Sequence, residues 1–235
     1  MNYLFTLLLT PVAYVIGLAT ANKWLPIVLP TLVGFAGFLF EMRNSAGRGL
    51  GILVLWAVVQ CITVLLAALW RGAAHLATLT WRAAEYKASM FGWIQSGALP
   101  EGNALSVTIL HLKQALFYCV LALASANFLS LLLGCALLNY MNVYVAEFAS
   151  RTSSKVQATL MAWNPWSVIR VAAFLCLGTA LSVPLLSRFG ITTGPAPQNM
   201  LWAGIAGVML DIVLKIVMSP YWSRRLKAFL PASVF

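Results

Sequence analysis

Leu50 to Trp70 reads LGILVLWAVVQCITVLLAALW, with no acidic or basic side chain along its length. A bilayer core about 30 Å thick takes roughly 20 apolar residues of α-helix, so this stretch is a membrane span. The rest of the chain has the same character. Over 235 residues it is 62% hydrophobic and 9% charged, with a mean hydropathy of +0.89, against about 25% charged in an ordinary soluble domain. A soluble fold of this size has too little polar surface to cover such a core, which excludes soluble, disordered, collagen-like and disulfide-scaffold classes.

Outward from 50–70, the same ruler gives spans at 3–21, 25–40, 115–138, 166–186 and 200–219. The expected fold is all-α, a single polytopic membrane domain over 1–235 with about six transmembrane helices. Ala19-Thr20-Ala21 has the small-x-small form of a cleavage site, but no Lys or Arg precedes it, so 3–21 reads as a retained first helix. Pro26 falls in a first turn, Pro30 is expected to kink its helix, and Pro220 to end the last span. Six crossings put both termini on one side. Nine basic residues then share that side, expected to be the cytoplasm, with six opposite.

Two further regions, 71–95 and 140–162, read as amphipathic helix. In the first, Arg71, His75, Thr78, Arg82, Glu85 and Ser89 recur at alternating spacings of four and three, a polar stripe that either extends the third span or lies along the interface. Arg71, His75, Arg82, Glu85 and Lys87 are its candidate docking residues. The 15 basic residues against 5 acidic ones are dispersed between apolar runs. That pattern suits anionic lipid headgroups and not nucleic acid, whose binders gather charge on one face.

Asp211 is the one acid inside an apolar span, in a row with Asn199, Ala203, Gly207, Lys215 and Ser219. A membrane carboxylate costs about 2.5–3.5 kcal/mol on insertion scales unless sheltered or paired, and Lys215, one turn on, is its expected partner. The functional reading makes Asp211 a proton- or cation-coupling group; the plainer reading makes the pair a structural lock. Ala122, Ala126, Ser130 and Gly134, like Ala203 and Gly207, form small-residue packing faces. Asn164-Pro165 fits a helix N-cap and first position, and Trp163 and Trp166 suit an interfacial belt.

No G-x-S-x-G, H-E-x-x-H, Walker A or paired-carboxylate pattern occurs. Cys61, Cys119, Cys135 and Cys176 lie inside apolar runs and His75 and His111 stand apart, so neither a metal site nor a cofactor is expected. The leading expectation is a non-enzymatic membrane subunit that assembles with other subunits or with itself. The alternative is a transporter or channel component for a small solute or ion with Asp211 as coupling residue. Short loops and an alanine-rich composition point to a bacterial cytoplasmic membrane.

Overall fold

Polar breaks between the apolar runs become the turns of an all-α chain, a polytopic helical membrane protein in a computed structural model that describes residues 2–192 and 194–231. The helices are α1 (Asn2–Ala19), α2 (Leu25–Met42), α3 (Ala46–Arg71), α4 (Ala73–Leu79), α5 (Ala83–Ser96), α6 (Ala104–Ser125), α7 (Phe128–Ser150), α8 (Lys155–Ala162), α9 (Pro165–Arg188) and α10 (Gln198–Phe229). Six are long and apolar enough to cross a membrane: α2, α3, α6, α7, α9 and α10; α1 is a shorter apolar helix packed along α2 and α3. Side-chain caps fix two starts, Ser45 Oγ accepting from the Arg48 N–H at 3.2 Å and Asn103 Oδ1 from the Ser106 N–H at 2.8 Å.

The expected span 115–138 is overturned. Its residues belong to two antiparallel helices joined at Ala126 and Asn127, which have φ of 50° and 78°. Neither residue is glycine, and a left-handed Ala costs about 1–2 kcal/mol. Local bonds offset that cost: Asn127 N–H donates to the Ala122 carbonyl at 2.9 Å, and Ser130 Oγ donates to Asn127 Oδ1 at 2.5 Å. The region 140–162 is likewise no single amphipathic helix, because α7 runs to Ser150 and the short α8 follows. Nor is 71–95: Gly72, with φ of 84°, and Arg82, with φ of 56°, divide it into α4 and α5 folded against α7. Pro220 does not end the last helix, which continues to Phe229.

Counting α1, the chain traverses the bundle seven times, so Asn2 and Phe229 lie at opposite ends, where the sequence reading had put the termini together. The end that carries the α2–α3 turn, the α6–α7 turn and the α9–α10 loop holds Arg43, Arg48 and Arg188. The other twelve of the 15 basic residues lie in the opposite half, with α4, α5 and α8. We call it the basic end.

Helices α9 and α10 pack closely along their length. A Cβ at Gly207 would sit 2.7 Å from the Ala173 Cβ, and one at Gly204 3.0 Å from the Ala173 carbonyl oxygen. Such contact is reached only by small residues and brings the backbones together. Ala203, expected on this face, is exposed, and Gly204 takes its place. On a helix with 3.6 residues per turn a strict i+4 row drifts by about 40° per step and leaves the face. Ala122, Ala126 and Ser130 are buried as expected, but around Gly134 there is open space.

Candidate functional site: a charged network beside a polar cavity

Asp211 is 1% exposed in the middle of α10, and its partner is Arg170 of α9. Arg170 Nε donates to Oδ2 at 2.8 Å and Nη2 to Oδ1 at 2.9 Å, the two-pronged geometry that suits a planar guanidinium to a carboxylate. His111 of α6 adds a third helix, with Nδ1 2.9 Å from Asp211 Oδ2. Lys215 does not pair with Asp211: its Nζ donates to Glu101 Oε1, just before α6, and lies 3.3 Å from His111 Nε2. One tautomer satisfies both sides of the ring: the proton on Nδ1 goes to Asp211, and Nε2 accepts from Lys215. Five ionisable groups therefore tie α6, α9 and α10 together where an unpaired charge would be costly.

His111, Arg170, Lys215 and Glu101 also line a cavity of about 430 Å³ at the basic end, with Asp211 one layer behind them. Its rim includes the exposed Arg82, just before α5, and Glu85 and Ser89 of α5. Its buried wall includes Trp93, Asn164, Trp166 and Ser219, 1% to 4% exposed. Four buried polar atoms in this lining have no protein partner: Trp93 Nε1, Glu101 Oε2, Asn164 Oδ1 and Ser219 Oγ. Buried polar atoms are ordinarily satisfied, and a group of orphans around one cavity marks a place for water or a polar ligand. A smaller, mostly apolar space of about 80 Å³ adjoins it, sharing Tyr86, Leu137, Tyr140, Ser167 and Arg170 and reaching inward to Trp56 and Tyr118. Burial pushes the Tyr86 phenol at this boundary up from its ordinary value.

Asn164 stands at the N-cap of α9 before Pro165, as its sequence position implies, yet its side chain makes no capping bond. Forgoing that bond costs about 1 kcal/mol and leaves Oδ1 at the cavity wall. Trp166 is no interfacial belt residue: it is 3% exposed and packs edge-on against Trp93 and Trp222 at 6.0 and 6.3 Å. Trp163 donates from Nε1 to Asn142 Oδ1 at 2.9 Å.

The candidate docking residues do not form one face. Arg82 and Glu85 are on the cavity rim, Lys87 is 4.0 Å from Glu147 of α7, His75 is exposed on α4, and Arg71 ends α3 with its guanidinium 4.9 Å from the Trp70 ring centre. The breaks at Gly72 and Arg82 destroy the continuous stripe on which that face depended. Sequence reasoning missed Arg170 as the partner of Asp211. The available signal was that Arg170 and His111, like Asp211, are ionisable residues set inside long apolar helices. Among the described residues no three His, Cys, Asp or Glu side chains gather as a metal cage. No known protein family, curated protein or solved structure matches this chain.

Proposed function

We propose that the chain is a transport or channel component for a small polar solute, non-enzymatic in itself, with Asp211 as its intramembrane coupling residue. The observation that supports this is the charged network forming one wall of a roomy polar cavity with four unpartnered buried atoms. Intramembrane ionisable groups are costly and typically mark solute or ion paths. A purely structural pair needs no cavity beside it. Solute captured from an aqueous low-molecular-mass cell extract by the protein in nanodiscs, read by mass spectrometry, tests the reading. Ser219→Trp projects a large ring into the cavity and should abolish capture of the solute that wild type retains. Equal capture by both proteins would dismiss the cavity as the site.

The membrane proposed is the bacterial cytoplasmic membrane, with the basic end in the cytoplasm. Leaving aside Lys113, Arg170 and Lys215, which lie within the spans, nine basic residues against three is a strong bias under the positive-inside rule, and it makes the cavity cytoplasm-facing. In a cysteine-free background, a membrane-impermeant maleimide should label Gly194→Cys in intact cells and Ser153→Cys only after permeabilisation. The reverse pattern would invert the orientation.

A second reading, assembly as a subunit with other membrane proteins or further copies, draws on α6 and α10. Each has only 28% of its most apolar window buried and presents large side chains such as Phe117 and Trp202 outward. Partner chains that co-purify from the native host after gentle extraction would favour it.

A further inference from the structure

The outer face of the bundle between α1 and α3 carries a groove of about 420 Å³, remote from the charged network. Its floor is Leu18, Val59, Thr63 and Ala67, all buried, and its walls are rows of exposed apolar residues at helical spacing, Leu7 and Val15 on α1 and Ile62 and Leu66 on α3. The two helices run in the same direction, and the short side chains of Thr63 and Ala67 in the floor leave space between their ridges. From Leu7 to Leu18 the groove is about 16 Å long at 1.5 Å per residue, the scale of an extended acyl segment. Arg71 at the basic end is the one charged residue of its lining, and no carboxylate lies in it. Arg71 enters none of the described ion pairs, and its guanidinium lies against the Trp70 ring, at the level where Trp and Arg meet lipid headgroups.

We infer that this groove binds one anionic phospholipid, an acyl chain lying along α1 and α3 and the headgroup phosphate held by Arg71. The chemistry of the two ends argues for that occupant over a protein helix. The groove is apolar for its whole length and finishes in one unpaired cation whose planar fork matches phosphate oxygens. A zwitterionic lipid brings its own ammonium to the same place and loses the net attraction. The site is independent of the solute cavity, so either proposal stands if the other fails.

The test is native mass spectrometry of the full chain in detergent after incubation with palmitoyl-oleoyl phosphatidylglycerol or the matching phosphatidylcholine. The expected result is one phosphatidylglycerol retained per chain, with preference over phosphatidylcholine. Arg71→Gln should reduce retention about fivefold, the worth of one basic residue near a headgroup. Val15→Trp, an exposed wall position, should narrow the groove and reduce retention of both lipids. Lys113→Gln, an exposed charge on α6, should change nothing. Equal retention of the two lipids, undiminished retention by Arg71→Gln or Val15→Trp, or an equal loss in Lys113→Gln would each overturn the proposal.

Discussion

Asp211→Asn lowers the stability of the protein by about 3 kcal/mol, near the lower end of the usual range for breaking a buried ion pair because Arg170 keeps some contact with water. The amide still accepts from His111 Nδ1 but leaves the guanidinium with no counter-charge among its α10 contacts. Removing both charges avoids that penalty. Asp211→Asn with Arg170→Met should therefore recover most of the loss, since an apolar replacement for a buried pair is often neutral or better. Thermal midpoints in detergent across the four proteins of this cycle measure the coupling. A single variant as stable as wild type, or a double variant no better than Asp211→Asn, would mean the pair does not bind α9 to α10. Solute capture by Asp211→Asn alone, which keeps Arg170 in the cavity wall, assayed below its melting midpoint, separates the two roles of Asp211. A merely structural pair leaves capture intact, whereas a coupling group does not.

Gly207→Val is the second severe change. Its Cβ would already lie 2.7 Å from the Ala173 Cβ, and an alanine has no rotamer by which to withdraw. The relief available is separation of α9 from α10 just one turn before Asp211, so the cost of overpacking, about 1–3 kcal/mol, comes with a stretched Arg170–Asp211 contact. The control is Gly134→Ala, which has nothing within 4 Å of the new Cβ and should stabilise α7 by about 0.5–1 kcal/mol through helix propensity. Unfolding in graded SDS, followed by tryptophan fluorescence, distinguishes them. Equal behaviour would mean that the close approach at Gly207 is not obligatory.

Membrane class was legible because it rests on summed apolarity, and α2, α3 and α9 fall within a few residues of the expected 25–40, 50–70 and 166–186. The turn at Ala126-Asn127 was not. Alanine is the strongest helix former, no Pro or Gly is there, and the break is held by Asn127 and Ser130 bonding each other in a fold already closed. A single misplaced turn then switched the segments before it relative to those after it, so the expected nine-to-six charge division becomes twelve to three. In the site, Asp211 stood out as a lone acid. Its partners lie 41 and 100 residues away on other helices, while the candidate one turn along α10 is held by Glu101. Spacing along one helix favours the near cation, and only the packing of α6 and α9 against α10 supplies the real ones.

The distribution of polar segments between the two ends has a bearing on biogenesis. With the basic end in the cytoplasm, as proposed, the segments that must be carried through the bilayer interior are the N-terminal end of α1, the turn Arg43-Asn44-Ser45, the pair Ala126-Asn127 and the residues between α9 and α10. The pair joining α6 to α7 has no formal charge, so those two helices can enter as one hairpin with almost nothing hydrophilic to translocate. Everything laborious to move, including α4, α5, α8 and the cluster Arg224-Arg225-Lys227, stays on the side of synthesis. Insertion is then a series of local hairpin events. The cavity closes only when α9 and α10, the last pair made, bring Arg170 and Asp211 to the waiting His111.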